Sequence, residues 1–312
     1  MAGLDDRAKA RGSMTQRALS TTAFLTLLAA ASIMGANHVA ARLAFNDGTD
    51  VSTAVVFRSG VTALVLGLLL RWQGPAQWPQ SRQWKVLSGI GLLVGLQSIA
   101  IYSAVARLPV ALALLAFNTF PIFIGLWAWL LYRQRPARSL LLAMPVLMAG
   151  LALALDVTGA VSGLGVQGQW QRIGEGLSYA LIAAASFGLL LTLTQQEVAG
   201  VDARLRTAYT MALACVMAAA LCWLRDSWHL PQTGTGWLGL VLLTALYGTG
   251  ITIVLTVLPR LGVMGNSPIL NIEPVVALVL AWPILGQTIA PMQIAGALIV
   301  VSAVMALGLR KR

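Results

Sequence analysis

Long apolar runs alternate along the chain with short polar connections. A transmembrane helix needs about 20 mostly apolar residues to cross the hydrocarbon core of a bilayer. Runs of about this length predict helices at 20–43, 52–70, 84–106, 108–131, 139–155, 175–195, 204–224, 237–258, 263–285 and 289–309. We therefore predict an all-α integral membrane protein with ten transmembrane helices. The first run is long and many others follow it, so we interpret it as a span and not as a cleaved signal peptide.

The composition agrees with a chain whose main partner is the lipid bilayer. Of the 312 residues, 58% are hydrophobic and only 10% are charged, and the mean hydropathy is +0.80. A soluble domain carries about 25% charged residues, so this chain is too apolar for water.

The basic residues indicate the orientation in the membrane. The net charge of +11 could suggest a nucleic-acid partner. However, 16 of the 21 Lys and Arg residues fall on the side of the two termini, four fall on the other side, and Arg58 lies within a span. Cytoplasmic loops carry an excess of Lys and Arg. We predict a multi-pass protein of the cell (inner) membrane with both termini in the cytoplasm, and no nucleic-acid partner.

The chain contains an internal repeat. Residues 118–134 read NTFPIFIGLWAWLLYRQ, and a shift of 153 residues leads to NIEPVVALVLAWPILGQ at 271–287. The same ungapped shift aligns Arg107 with Arg260 and Gly35 with Gly188. Each half contains five predicted helices, so the second half must enter the membrane from the opposite side. This arrangement of two inverted five-helix repeats is a design of secondary transporters.

The repeat divides the chain into five parts. We predict a cytoplasmic tail at 1–17, a first repeat at 18–155, a linker at 156–174, a second repeat at 175–309 and a basic tail at 310–312. The linker contains GLGVQG at 163–168, which matches the dinucleotide-binding pattern literally but follows no predicted strand. We interpret it as a flexible connection.

Two prolines mark the expected substrate region. Pro121 and Pro274 occupy equivalent positions within apolar runs, and each removes a helical hydrogen bond. Broken helices at matching positions of two repeats point to a transporter's binding site. Asn118 and Asn271 precede the prolines by three residues and could bind the ammonium or carboxylate of a substrate. Alternatively, each Asn satisfies backbone groups at a helix kink.

Glu273 is the acidic residue expected at mid-depth, and its equivalent in the first repeat is Phe120. A charge at this depth costs about 2.5–3.5 kcal/mol and is a functional candidate. It could bind a substrate ammonium or a proton, it could form a structural pair with Arg58, or it could be neutral and hydrogen-bonded to the backbone. His38 is either a packing or pore-lining residue or part of a relay, and Gln97 and Tyr247 could also face a cavity. Tyr102, Phe117, Phe120 and Phe187 are the further candidates for an apolar lining.

Other function classes lack their residues. The chain has two histidines and two cysteines, and neither a nucleophile–base pair nor a metal cluster is evident within the spans. No nucleotide-binding signature is present either. We therefore expect no enzyme activity, no metal and no cofactor, and a monomer.

Several segments resemble the drug/metabolite transporter superfamily. These are SIMGANHVAARLAF (32–45), STAVVFRSGVTALVLGLLL (52–70), NTFPIFIGLWAWLLY, and the run from EPVVALVLAW to the last span. Within the superfamily they look like the ten-helix EamA branch and its YddG-type amino acid exporters. The resemblance implies a cavity walled by spans 1–4 and 6–9 and export of amino acids, aromatic ones among them. The chain departs from the family pattern at Gln134 and Gln287, where members often carry Glu. A capping role at these positions would survive the change from Glu to Gln, whereas a proton-carrying role would not.

These observations together predict an exporter of amino acids, including aromatic and other apolar ones. Alternating access by facilitated diffusion is the leading mechanism, since only one mid-depth carboxylate is available. The alternative is a proton-coupled exporter of organic cations, drugs or other metabolites.

Overall fold

The computed structural model describes residues 21–74, 77–134, 138–160, 163–261, 267–287 and 290–309. These residues form α1 (Thr21–Asn46), α2 (Val51–Gln73), α3 (Ser81–Arg107), α4 (Val110–Phe117), α5 (Phe120–Tyr132), α6 (Arg138–Ala154), α7 (Gly165–Glu197), α8 (Ala203–Arg225), α9 (Gly234–Leu261), a 3-10 helix (Ser267–Ile272), α10 (Glu273–Leu285) and α11 (Pro291–Leu309). The predicted tails at 1–17 and 310–312 lie outside the described residues.

The helices follow the predicted spans. In the part of the chain that the structure describes, seven segments are long and apolar enough to cross a membrane, with α4 and α5 together counting as one. The described parts of α6, α10 and α11 are apolar but shorter. The all-α prediction is confirmed, and the count of ten spans is confirmed for seven of them. One difference is the start of α7 at Gly165, which makes 165–174 helical and not a flexible linker.

Aspartates begin two equivalent helices. The Asp50 carboxylate accepts a hydrogen bond from the backbone N–H of Ser52 at the start of α2. The Asp202 carboxylate accepts one from the N–H of Arg204 at the start of α8. Each satisfies a backbone donor that has no partner within the helix. The same capping chemistry therefore begins the second helix of each half.

The helix contacts come in pairs that exchange under the shift of 153 residues. α1 packs on α9, and its counterpart α7 packs on α3. α1 also packs on α10, and α7 on α5. α2 and α8 are each other's counterparts and pack together, as do α6 and α11. The two halves are therefore interleaved in one bundle and do not form separate domains.

The crossing of α1 with α10 is repeated at the crossing of α7 with α5. A Cβ atom at Gly35 would lie 2.7 Å from the backbone oxygen of Glu273 and 3.2 Å from Val276 Cβ. At Gly188 it would lie 2.8 Å from Phe123 Cβ, and Phe123 is the counterpart of Val276. Small residues allow two helix backbones to approach closely. Each broken span is thereby held against the first helix of the other half.

The pair of α2 and α8 is antiparallel. The backbone N–H of Asp50, before α2, donates to the carbonyl of His229, after α8. At the other end of the pair, the Arg204 guanidinium at the start of α8 donates to the carbonyl of Gly74 after α2. Two equivalent helices that contact each other antiparallel are related by a rotation about an axis perpendicular to them.

Candidate functional site

A narrow cavity lies where the two halves meet. It is lined by residues of α1, α2, α3, α4, α5, α7, α9, the 3-10 helix and α10. These are Met34, His38, Arg58, Gln97, Ile101, Phe117, Phe120, Phe187, Tyr247, Ile251, Val254, Leu270 and Glu273. Six of the eight side chains predicted to bind substrate are in this lining: His38, Arg58, Gln97, Phe120, Tyr247 and Glu273. The structure brings these residues together; their role in binding stays a prediction.

Glu273 is buried and lies against His38. The carboxylate Oε1 is 3.0 Å from His38 Nε2, and both side chains are almost inaccessible to solvent. The contact is short, but its geometry is not that of a hydrogen bond, and Oε1 accepts no hydrogen bond from any described residue. Glu273 is also the first residue of α10, where the helix dipole favours a negative charge. The polar part of the cavity lining therefore includes a carboxylate–imidazole pair.

Arg58 does not form the pair with Glu273 that we considered from the sequence. Its guanidinium lies between two tyrosine rings, 4.3 Å from the centroid of Tyr102 and 3.5 Å from that of Tyr247. The residue is only 1% exposed. The Glu–Arg alternative is thus wrong for this conformation, because the rotation of α1 presents His38 to Glu273 instead.

Three phenylalanines form an apolar wall. Phe117, Phe120 and Phe187 are in mutual contact, with ring centroids 5.0–5.5 Å apart. Phe117 and Phe120 flank the break between α4 and α5, and Phe187 comes from α7 in the other half. The break in the fourth span therefore supplies two of the three rings.

The asparagines are less accessible than predicted. Asn118 is 1% exposed, and its Nδ2 donates to the carbonyl of Leu114, one turn earlier in the chain. This contact agrees with the alternative that Asn118 satisfies backbone groups where the helix is interrupted. It does not line the cavity. The side chain of Asn271 lies outside the described residues.

The prolines do not bend continuous helices. Pro121 and Pro274 are each the second residue of a new helix, α5 and α10. Proline is tolerated in a first helical turn because the N–H that it lacks would have no partner there. The chain therefore breaks before each proline, and Phe120 and Glu273 become equivalent helix starts facing one cavity.

The sequence analysis missed five lining residues: Met34, Ile101, Ile251, Val254 and Leu270. They are apolar and resemble the many residues that face lipid. The repeat could have found two of them, because a shift of 153 pairs Met34 with the predicted Phe187 and Leu270 with the predicted Phe117; it also pairs Ile101 with Val254, and both of these were missed. With Phe120 and Glu273, four pairs of equivalent residues line the cavity.

Gln287 has a capping contact. Its Oε1 accepts a hydrogen bond of 3.1 Å from the backbone N–H of Val110, the first residue of α4. This ties the end of α10 to the start of the broken span in the other half. A neutral amide is sufficient for this contact, and it agrees with the capping role considered for this position.

A sequence comparison identifies the family. The profile of the EamA-like transporter family matches residues 21–155 and again residues 174–309. The chain belongs to the EamA-like transporter family. Both halves match it, as the internal repeat predicts. The EamA-like protein is accordingly a multi-pass membrane transporter of the drug/metabolite transporter superfamily.

A crystal structure has the same fold. It superposes with a TM-score of 0.64 over 93% of this chain and 98% of the other, at 18% sequence identity. Such a low identity shows the fold alone. No curated protein matches the sequence.

Proposed function

We propose that this EamA-like protein exports amino acids with apolar or aromatic side chains. The observation that carries the proposal is the composition of the cavity. A buried carboxylate, Glu273, and a wall of three phenylalanines line the same cavity. The carboxylate suits an ammonium group, and the wall suits an apolar side chain.

The proposed mechanism is alternating access by two inverted repeats of five spans each. The exchange of helix contacts between the halves and the antiparallel α2–α8 pair support this architecture. Equivalent halves that exchange conformations would open a central site first to one side and then to the other. The cavity is narrow here, so entry of a substrate requires the helices around it to separate.

We place both termini in the cytoplasm and propose export through the inner membrane by a monomer. The distribution of Lys and Arg residues supports this orientation. The substrate gradient would drive transport by facilitated diffusion, since Glu273 is the one acidic residue among the described residues of the lining.

A proton-coupled exporter of organic cations is the second candidate. The contact between Glu273 and His38 favours it, because a pair of titratable groups can take up a proton when the substrate leaves. An aromatic wall also suits a lipophilic cation.

Counterflow in proteoliposomes would test the proposal. Liposomes loaded with unlabelled solute would receive labelled amino acids or organic cations, with and without a pH gradient. We expect exchange of phenylalanine and leucine that does not require a pH gradient. Exchange of organic cations alone would refute the proposed substrate. Proton dependence that is lost in Glu273→Gln while transport remains would refute facilitated diffusion.

A matched control is Glu175→Gln. Glu175 pairs with Arg107, and its side chain is 65% exposed, away from the cavity. We expect this variant to transport like the wild type, whereas Glu273→Gln should lose most of its amino acid exchange.

A further inference from the structure

Arg58 is a buried cation without an acidic partner. It forms no ion pair with any residue that the structure describes, and the nearby Glu273 contacts His38 instead. Two of its nitrogens, Nε and Nη2, are buried and have no hydrogen-bond partner. A buried charge normally requires pairing and hydrogen bonds. The free donors therefore point to an anionic group that the cavity accepts.

Two tyrosines hold the guanidinium in place. The Tyr102 hydroxyl donates to Asn37 Oδ1 at 2.9 Å, which fixes this ring on α3. The Tyr247 hydroxyl lies 3.8 Å from Met211 Sδ, which fixes the other ring on α9. Aromatic faces attract a cation without using its N–H donors. The rings thus stabilise Arg58 while its Nε and Nη2 donors stay available.

We propose that Arg58 binds the carboxylate of the transported solute. A guanidinium presents a planar set of donors that matches a carboxylate. Glu273 and Arg58 line one cavity but do not pair, so a molecule carrying both an ammonium and a carboxylate can bind between them. The substrate class is then the zwitterionic α-amino acid, with its side chain against Phe117, Phe120 and Phe187. This inference rests on the proposed function.

The repeat supplies a suitable substitution. The counterpart of Arg58 under the shift of 153 is Met211, which is buried with 0% exposure. The same place in the other half therefore accommodates an unbranched apolar side chain. Arg58→Met should fold for this reason, and Arg58→Lys keeps the charge but removes the planar donors.

The chain also offers a matched control. Arg107 stacks on Tyr179 at 4.9 Å and pairs with Glu175 at 2.8 Å, but its side chain is 38% exposed and does not line the cavity. Arg107→Met removes a stacked arginine of the same kind outside the cavity. We expect it to transport like the wild type.

The test is a counterflow panel of three solutes that share one ring. L-Phenylalanine carries both charges, phenethylamine lacks the carboxylate, and 3-phenylpropanoate lacks the ammonium. The wild type should exchange phenylalanine at least about tenfold better than either analogue, since a site built for a polar group rejects a ligand that lacks it. Arg58→Met should lose this preference over phenethylamine, and Arg58→Lys should retain part of it.

The outcomes separate the two proposals. Equal exchange of phenylalanine and phenethylamine by the wild type, or an unchanged preference in Arg58→Met, would overturn the role of Arg58 and leave amino acid export standing. A wild type that exchanges no amino acid would overturn both. If Arg58→Met does not fold, an unchanged preference in Arg58→Lys would still overturn the inference.

Discussion

Gly35→Ala should destabilise the protein at the crossing of α1 and α10. The new Cβ would lie 2.7 Å from the backbone oxygen of Glu273 and 3.2 Å from Val276 Cβ. Contacting heavy atoms prefer about 3.5–4.0 Å, so the new Cβ would lie at least about 0.8 Å too close to this oxygen. The atom that must move is backbone at the start of α10. Overpacking of this kind costs about 1–3 kcal/mol, which exceeds the gain of up to about 1 kcal/mol from replacing a helical glycine.

The control for this prediction is Gly67→Ala. Gly67 is exposed in the middle of α2, and an added Cβ would meet nothing within 4 Å. It should keep the helical gain, so the free energies of unfolding of the two variants should differ by about 2 kcal/mol. Unfolding by SDS in mixed micelles, followed by tryptophan fluorescence, measures both. Equal stability of Gly35→Ala and Gly67→Ala would refute the close crossing, and Gly188→Ala should behave like Gly35→Ala.

Two further variants test local contacts with the same unfolding assay. Gln287→Ala removes the acceptor for the N–H of Val110 and should lower the free energy of unfolding by about 1 kcal/mol. Gln287→Glu keeps an acceptor and should lower it by less. Equal losses of stability in the two variants would contradict the capping role. Asp47, in the connection between α1 and α2, accepts from the backbone N–H of Thr233 and of Gln232, and these bonds hold the pKa of its carboxyl below the ordinary 3.8. The stabilisation by the Asp47 carboxylate is therefore present above pH 3.8 and is lost as the pH falls through the lower pKa of the folded state. The wild type should lose stability in that pH range relative to Asp47→Asn. Parallel profiles of stability against pH for the two proteins would contradict this.

The spans and their breaks could be predicted from the sequence for clear physical reasons. A membrane demands long apolar runs, and prolines interrupt hydrogen bonding wherever they occur. The position of each break was less predictable. Pro121 and Pro274 lie in the first turns of new helices, so the interruption precedes them by one to three residues. A proline indicates that a helix ends nearby but not on which side.

The contacts within the cavity could not be predicted, although all of its described polar members were. Whether His38 or Arg58 contacts Glu273 depends on the rotation of α1, α2 and α10 about their own axes. Each of these helices carries apolar residues on all of its faces, so the sequence pattern does not indicate that rotation. The apolar lining was hidden for a related reason. Leu270 has the same chemistry as a lipid-facing leucine, and only its equivalence to Phe117 distinguishes it.

The paired lining has an evolutionary consequence. A gene duplication would initially have produced two identical walls, and each later mutation changed one wall only. Glu273 and its counterpart Phe120 are such a divergent pair, and the lining residue Arg58 has as its counterpart Met211, which is not among the lining residues. The glycine crossings stayed matched in both copies, and an aspartate still begins the second helix of each half, although Asp50 and Asp202 lie one position apart under the shift of 153. Selectivity in this architecture can therefore diversify through single-sided substitutions, while the shared scaffold that moves the helices is left intact.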